Sequence, residues 1–379
     1  MEVVAHFDSG VCPPFKVEGE GITFDLRQDV RFLNVLLVDV PSELRVTLLI
    51  REEEGKFLKG QGLIVRGRDT DFFALPLVES GRDHLCARIS GLGSEIRLAT
   101  RYPYGRDDLD RLVADTFGAD QVRFRVFSEG PRILPIFEVG EDDGHKPVHY
   151  FIAGEDASET AGCWVADEMV RILAKGEGPF HRMVERSFTR ICPLVSPYSA
   201  SLMVDSYISA SGDFIYGAAT WGDPSPSPEY ARLRAEVIKT IRQKRLGLLL
   251  TIHSWQAQEE CSGLEAIKSA GDLSLSPSRQ RWTERTLEAL IQGVPRGKVY
   301  LPEKAWHPGI ARDYLLANFN AITFRIEVTT YGQGMDAFRE TARRLLENAA
   351  EVEDWGPVLG EPPTEEERTS GHATSSSSR

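Results

Sequence analysis

Residues 150–173 read YFIAGEDASETAGCWVADEMVRIL, and this stretch sets the architecture of the chain. The apolar run Phe151-Ile152-Ala153 predicts a buried strand, and Gly154 predicts a turn directly after it. Beyond the turn, apolar residues recur at helical spacing and predict a helix with one buried face. They are Trp164, Val165, Met169, Val170, Ile172 and Leu173.

Two carboxylates, Asp156 and Glu159, lie between the predicted strand and the predicted helix. Their i, i+3 spacing at a helix start puts both on one side, where they could share a metal ion. The same spacing is typical of a capping box, with Asp156 as the N-cap and Glu159 bonding back to its amide. These residues alone favour the capping box, so a metal site needs support from elsewhere in the chain.

Composition and charge narrow the function classes. The 379 residues carry 44 basic and 57 acidic side chains, a formal net charge of -13, which argues against nucleic-acid or anionic-membrane partners. The N-terminus is not typical of a signal peptide, and no apolar stretch is long enough to span a membrane. Five widely spaced cysteines without a CxxC pair favour reduced thiols and a cytoplasmic protein.

The chain divides into two predicted domains and a tail. Residues 1–104 contain short β-rich runs punctuated by Gly, Pro, Asp and Asn, which predict an all-β sandwich without chemistry of its own. Residues 105–352 alternate strands and helices, which predicts an α/β domain with a mixed sheet and helices on both faces. Residues 353–379 are polar and charged and predict a disordered tail.

Functional residues in such sheets gather at the carboxyl ends of strands. Asp156, His253 and Glu327 lie at or near three such predicted ends, so they could converge. Taken singly, His253 in an apolar strand is typical of a satisfied core histidine. Glu327 is harder to explain structurally, because a carboxylate in an apolar run needs a partner; Arg325 on the same strand face is the simplest structural one. The long, weakly periodic segment 199–228 is of a kind that is more often functional than idle.

A series of short motifs runs along the chain in order. They are FDSG at 7–10, YPY at 102–104, EDASETAGCW at 155–164, PLVSP at 193–197, IHS at 252–254, GIAR at 309–312 and TFRIE at 323–327. Each is weak alone, but their order and spacing resemble the zinc carboxypeptidase family, specifically its cytosolic carboxypeptidase branch. The resemblance covers nearly the whole chain except the tail.

The resemblance implies roles for particular residues. Asp156, Glu159 and His253 would hold one divalent metal ion, and Glu327 would be the general base of a hydrolase that cleaves an amide bond. The family's electrophilic Arg lies in a loop that has no Arg in this chain, and Arg325 or Arg312 could take over its role. Tyr216, Ser254 and Trp255 would contact the substrate, a peptide or aminoacyl compound such as a protein C-terminus.

Two departures from the family pattern bear on this assignment. Asp156 stands where the family has His, so the site has two anionic ligands and one imidazole. Zinc remains the expected metal, but this harder donor set favours Mn²⁺ or Fe²⁺ more than the family's set does. Metal-bound water is expected to have a higher pKa than in a two-His site. The family's Asn-Arg clamp for the substrate carboxylate is also missing, because no Arg occurs between Arg190 and Arg232.

Three interpretations of the chain therefore stay open. The first is a metallohydrolase with altered substrate choice, such as an amidase, a deacylase or a peptidase acting on an internal or blocked bond. The second is an orthodox carboxypeptidase whose carboxylate clamp comes from elsewhere. The third is an inactive carboxypeptidase-like fold kept as a binding or scaffold protein. Bound metal separates the first two from the third, and activity on an amidated peptide separates the first from the second.

Overall fold

The structure is a computed structural model. It describes residues 1–8, 10–27, 32–52, 58, 62–176, 180–202, 207–208, 214–215, 221–255, 264–267, 275–294, 298–300, 309–330, 334–352 and 355–360.

The N-terminal hundred residues form β structure, as their composition predicts. The strands are β1 (Glu2–Val4), β2 (Phe15–Glu18), β3 (Gly21–Asp25), β4 (Asn34–Val38), β5 (Glu43–Leu49), β6 (Leu63–Gly67), β7 (Phe73–Leu75), β8 (Leu77–Ser80), β9 (His84–Ser90) and β10 (Glu95–Ala99). They build two five-stranded sheets, ordered β1-β4-β10-β6-β7 and β2-β3-β5-β9-β8. Their pairs are antiparallel except β3 with β5, and apolar side chains from both sheets share one core. This confirms the predicted sandwich.

The remainder of the chain alternates helices and strands. The helices are α1 (Arg106–Thr116), α2 (Thr160–Lys175), α3 (Phe180–Arg186), α4 (Pro197–Ser201), α5 (Pro228–Arg242), α6 (Pro277–Leu290), α7 (Ala311–Phe319) and α8 (Met335–Glu351), followed by a 3₁₀ turn, Gly356–Val358. The strands are β11 (Val122–Glu129), β12 (Arg132–Val139), β13 (Val148–Ala153), β14 (Phe188–Cys192), β15 (Tyr207–Ile208), β16 (Phe214–Ile215), β17 (Leu246–Trp255), β18 (Leu264–Ile267), β19 (Lys298–Tyr300) and β20 (Phe324–Thr329).

One eight-stranded mixed sheet forms the centre of this region, ordered β11-β12-β14-β13-β17-β20-β18-β19. Its middle strands β14, β13, β17 and β20 are parallel, and β11 and β12 pair antiparallel at one edge. At the other edge β18 is antiparallel to β20 and parallel to β19. The continuous apolar run of β17 fits its place between two parallel partners, because such a strand is buried on both faces. The hairpin of β11 and β12 turns at Gly130, where φ is +59°.

Helices cover both faces of this sheet, as predicted. On one face the hydroxyl of Tyr150 in β13 is 2.7 Å from the hydroxyl of Thr240 in α5. Tyr150 pairs with Leu249 of β17, whereas Phe324 of β20 pairs with the next residue, Leu250. Because successive side chains of a strand alternate between faces, Phe324 points to the other face. There its ring lies 5.9 Å from the ring of Trp282 in α6. The core is therefore a layer of apolar side chains on each side of the sheet.

The β-sandwich is joined closely to the larger sheet. Ile64, Phe72 and Ala99 of the sandwich belong to the apolar core of the α/β region and not to their own. Arg101 donates a hydrogen bond of 2.9 Å to the carbonyl of Ser158, and the hydroxyl of Thr160 donates to the carbonyl of Tyr102. The segment after β10 thus holds the loop that carries Asp156 and Glu159. The boundary at residue 104 stays a prediction.

The segment 355–360 departs from the predicted tail, because it packs on the α/β core. Val358 is fully buried, and Trp355 lies 6.2 Å from the ring of Trp282. Leu359 pairs with Ala321 in an isolated β-bridge. The apolar side chains in this short segment explain the correction, and residues 361–379 lie outside the described chain. Among the described residues, no helix is long and apolar enough to cross a membrane.

Candidate metal centre

The loop between β13 and α2 carries the predicted acidic ligands, and two glycines allow its path. Gly154 has φ of +69°, a left-handed conformation that a side chain disfavours. Gly162, in the first turn of α2, packs against β17 so closely that a Cβ there would lie 2.4 Å from the carbonyl oxygen of Ile252. The sharp turn and the close approach bring the start of α2 beside the carboxyl end of β17.

The start of α2 is not the capping box that the sequence favoured. The helix begins at Thr160, its N-cap is Glu159, and no side chain caps it. Asp156 contributes only its carbonyl, which accepts a hydrogen bond from the amide of Glu159 at 3.0 Å. Neither carboxylate therefore caps the helix, so capping does not explain why Asp156 and Glu159 are there.

Asp156, Glu159 and His253 converge, as the sequence predicted they could. One potential ligand atom from each lies within 4.8 Å of the other two. His253 Nδ1 is 2.7 Å from Glu159 Oε2 and 3.4 Å from Asp156 Oδ2. The set combines two carboxylates with one imidazole, which are donors that Zn²⁺ and harder divalent ions accept.

Asp156 has the most unusual environment of the three. The residue is 2% exposed, yet neither of its carboxylate oxygens has a hydrogen-bond partner among the described residues. A buried polar atom without a partner costs about 1–3 kcal/mol, and a charged one costs more. The ion pair with His253 Nδ1 at 3.4 Å offsets part of this cost, and a bound cation would offset the rest.

Glu327 is held next to the cluster by its strand neighbours. It pairs directly across from His253, because β20 runs parallel to β17 in that register. Arg325, two residues earlier on the same strand face, donates from Nε to Glu327 Oε1 at 2.7 Å. The other carboxylate oxygen, Oε2, is buried and has no hydrogen-bond partner among the described residues. The predicted ion pair therefore exists, but it engages only one oxygen of Glu327.

The pKa shifts in the cluster show that its buried carboxylates are not fully compensated by its basic groups. Burial raises the pKa of Glu159 to about 7, with Asp156 adding to the rise and His253 opposing it. For His253, burial and Arg325 oppose protonation, but the surrounding carboxylates prevail and raise its pKa well above the ordinary value. Burial likewise opposes the charge of Arg325, and Glu327, Glu159 and Asp156 outweigh it, so its pKa is raised.

A small cavity adjoins the cluster at the carboxyl ends of β17 and β20. Its lining residues are Glu155, Thr251, His253, Ile310, Ala311, Arg312 and Arg325. Arg312, a predicted electrophile, donates from Nε to Asp313 Oδ1 at 3.1 Å. Both predicted electrophilic arginines therefore border the same cavity, each beside a carboxylate.

The three residues predicted to contact substrate have different outcomes. The hydroxyl of Ser254 donates to the carbonyl of Glu159 at 2.8 Å and accepts from the amide of Gly162 at 2.7 Å, so it ties β17 to the first turn of α2. Trp255 is the last residue of β17, and its side chain is outside the described part of the chain. Tyr216 lies outside the described residues as well. Their contact with substrate stays a prediction.

Sequence reasoning missed Glu155. Its Oε2 atom is 3.0 Å from His253 Nε2, the ring nitrogen that faces away from Asp156 and Glu159. Trp221 donates from its indole nitrogen to the other oxygen of Glu155, and the hydroxyl of Tyr230 donates to its carbonyl. The only sequence signal was a third acidic residue directly before Asp156, which by itself suggests a solvated loop.

A second group of potential ligands, Glu79, His84 and Cys86, lies in the β-sandwich. Arg45 already compensates it, donating to Glu79 at 2.8 Å and to the Cys86 sulfur at 3.5 Å. This group therefore lacks the unpartnered oxygens that distinguish the cluster around Asp156.

The residues of the first cluster fit a divalent cation. Four carboxylates, those of Glu155, Asp156, Glu159 and Glu327, face two basic groups, His253 and Arg325. Even with His253 protonated, the four carboxylates outnumber the two cations, and the raised pKa of Glu159 reflects this excess of buried negative charge, which is costly without compensation. A divalent ion between Asp156, Glu159 and His253 would balance this charge and give the oxygens of Asp156 a partner.

Solved structures with the same fold include metallo-carboxypeptidases. One from Pseudomonas aeruginosa, in complex with (2-guanidinoethylmercapto)succinic acid, has a TM-score of 0.76 at 19% identity, covering 92% of this chain and 98% of that chain. One from Burkholderia cenocepacia has a TM-score of 0.75 at 15% identity with the same coverage. A Shewanella denitrificans structure provisionally named carboxypeptidase A has a TM-score of 0.78 at 15% identity. At the level of sequence, no family model and no curated protein matches.

These likenesses confirm the predicted fold, a carboxypeptidase-like mixed sheet preceded by a β-sandwich, over 92% of the chain. They agree with the resemblance to zinc carboxypeptidases that the ordered motifs gave. At identities of 15–19% they bear on the fold, so the chemistry of this chain has to be argued from its own residues.

Proposed function

We propose that the protein is a metal-dependent hydrolase of the metallocarboxypeptidase type that cleaves an amide bond in a peptide or aminoacyl substrate. The proposal rests on one observation above the others. Asp156 buries both of its carboxylate oxygens without a hydrogen-bond partner among the described residues, 3.4 Å from a ring nitrogen of His253. A divalent cation is the simplest partner for an aspartate in that position.

Asp156, Glu159 and His253 would hold the ion. When bound, such an ion polarises a substrate carbonyl and lowers the pKa of a coordinated water, zinc being the most plausible ion and Mn²⁺ or Fe²⁺ the alternatives. The two anionic ligands set this site apart from one built with a single carboxylate. They make the donor set harder and increase its preference for a doubly charged cation.

Glu327 would be the general base. Arg325 holds its Oε1 atom and leaves the buried Oε2 atom free to accept a proton, directly across from His253. In the reaction Glu327 would take a proton from the attacking water and deliver it to the leaving amine. The amide carbon gains the water oxygen, and the C–N bond breaks as the nitrogen is protonated.

Arg325 and Arg312 would serve the substrate. Both line the cavity beside the cluster, where a guanidinium can donate to a carbonyl or a carboxylate oxygen. Segment 191–231 carries no arginine, so a carboxylate clamp of the usual kind is not expected from it. We therefore place substrates with a blocked or internal bond ahead of substrates with a free C-terminus.

A hydrolysis assay with and without added metal tests this proposal. The protein is stripped of metal, reloaded with Zn²⁺, Mn²⁺ or Fe²⁺, and offered matched peptides with free and amidated C-termini. The expected result is metal-dependent hydrolysis that Glu327→Gln lowers by about 100- to 10,000-fold, the range for losing a general base. Glu327→Gln should bind the metal as well as the parent does, which separates catalysis from metal loading.

The alternative, an inactive binding or scaffold protein, makes the opposite prediction. A protein that binds metal but hydrolyses no member of the peptide series, with parent and Glu327→Gln indistinguishable, would favour that alternative. Preference for the amidated peptide would favour altered specificity, and preference for the free C-terminus would favour an orthodox carboxypeptidase.

A further inference from the structure

Glu155 lies on the far side of His253 from the two acidic ligands. The ring of His253 has two nitrogens, and each faces a different group of carboxylates. Nδ1 faces Glu159 Oε2 at 2.7 Å and Asp156 Oδ2 at 3.4 Å, whereas Nε2 faces Glu155 Oε2 at 3.0 Å. The imidazole therefore lies between the two acidic ligands, which face Nδ1, and Glu155, which faces Nε2.

A carboxylate at one ring nitrogen decides which nitrogen can bind a metal. Glu155 accepts only from a protonated Nε2, and this leaves the lone pair of a neutral imidazole on Nδ1. Nδ1 is the atom that points at Asp156 and Glu159. An anionic acceptor also makes the ring a stronger donor to a cation on its other side.

Glu155 is itself fixed in place by groups from two other parts of the chain. The indole N–H of Trp221 donates to its second carboxylate oxygen, and the hydroxyl of Tyr230, on α5, donates to its backbone carbonyl. The residue is 3% exposed. Both carboxylate oxygens are thus occupied, one by the imidazole and one by the indole, so the carboxylate has a defined direction.

We propose that Glu155 is the positioning residue of this metal centre, an outer carboxylate that sets the tautomer and orientation of His253 and strengthens its bond to the ion. This inference rests on the proposed function, because it presupposes a metal held by Asp156, Glu159 and His253. Positioning matters more here than in a site with two imidazoles, since His253 is the one nitrogen ligand in this set.

The position of Glu155 argues against its being a ligand. Its oxygen lies at Nε2, and the three candidate ligand atoms meet on the Nδ1 side. An ion close to Nδ1 would be separated from Glu155 by the width of the imidazole ring. The carboxylate contacts His253 and not the ion, so its bonding influence on the ion passes through the imidazole.

The test is the Zn²⁺ affinity of the full-length parent and Glu155→Gln proteins, measured by competition with a chromogenic chelator. A glutamine can still accept from Nε2 but carries no charge, so the expected loss of affinity is about 10- to 100-fold. The matched control is Asp167→Asn, which changes a buried carboxylate on α2 that bonds to Arg171 and Tyr104. Asp167→Asn should leave the affinity unchanged.

A second measurement reports the role directly. In nitrogen-15 spectra of the Zn²⁺-loaded parent, His253 should show a protonated Nε2 with a strongly downfield proton, identified by its absence in His253→Gln. In Glu155→Gln that proton should move upfield because its acceptor has lost its charge. Trp221→Phe keeps Glu155 and removes one of its donors, so it should give a smaller loss of affinity and carries the test if Glu155→Gln does not fold.

Equal Zn²⁺ affinity and an unmoved proton resonance in Glu155→Gln would overturn the inference and leave the proposed function standing. Loss of Zn²⁺ as complete as in His253→Gln would also overturn it, because Glu155 would then be a ligand. A parent protein that binds no ion would remove the proposed function first, and the inference with it.

Discussion

Two histidines on neighbouring strands are equally buried and have opposite environments. His149 near the start of β13 and His253 near the end of β17 are each 3% exposed. His149 accepts a hydrogen bond from the amide of Leu248 at 2.8 Å, and its ring lies 5.1 Å from that of Trp355. Burial lowers its pKa to about 3, so it stays neutral. His253 is surrounded by carboxylates that raise its pKa well above the ordinary value.

The comparison shows what separates a core histidine from a functional one. Burial is the same at both positions, so burial alone does not distinguish them. His149 has one neutral partner that satisfies it, whereas His253 lies at the carboxyl edge of the sheet among groups that it cannot neutralise. The first arrangement serves fold stability, and the second carries a cost that a bound cation would lower.

The largest expected difference between the two histidines is in metal affinity, when each is replaced by glutamine. His253→Gln should weaken Zn²⁺ binding on the order of 100-fold or more, beyond the 10- to 100-fold typical of outer partners, because a direct ligand is lost. His149→Gln should bind Zn²⁺ as the parent does. Isothermal titration of the two variants and the parent measures the difference.

The two variants control for each other, since each removes one buried imidazole from an adjacent strand. Equal weakening in both would mean that the effect comes from disturbing the sheet. Unchanged affinity in His253→Gln would remove His253 from the site and with it the contrast between the two histidines.

A smaller effect is expected in acid, and it belongs to His149. The folded-state pKa of His149 is lowered from 6.5 to about 3, so the unfolded chain takes up the proton first as pH falls. Its contribution to stability is therefore present above about pH 6.5 and lost progressively as pH falls towards 3. Between pH 7 and pH 5 the parent should lose about 2 kcal/mol of unfolding free energy that His149→Gln does not lose.

Urea unfolding of both proteins at the two pH values measures this difference, and the common loss from other titrating groups cancels in the comparison. Parallel acid sensitivity in parent and variant would contradict the neutral, buried state of His149.

Most of the fold could be predicted because the deciding patterns are local. The apolar run of β17, the hairpin around Gly130 and the periodicity of α2 all specify their elements within a few residues. The packed segment 355–360 escaped prediction because its apolar residues are few and stand between charged stretches. Its contacts with Trp282 and Ala321 are decided by tertiary packing, which local pattern does not contain.

The candidate site divides in the same way. Asp156, Glu159, His253 and Glu327 could be predicted to converge because parallel strands bring their carboxyl ends together. Glu155 could not, because the direction of its side chain depends on Trp221 and Tyr230, which belong to other parts of the chain. The choice between capping box and ligand pair was equally beyond the four residues concerned, and the position of the helix start decided against the cap.

The central claim is that the cluster around Asp156 holds a divalent ion, and metal content tests it most directly. Parent and Asp156→Ala proteins, purified without added metal and again after incubation with Zn²⁺, Mn²⁺ or Fe²⁺, are measured by elemental mass spectrometry. The account predicts close to one ion per parent chain and little in Asp156→Ala, with His149→Gln matching the parent. No ion in the parent under any of these conditions would contradict it.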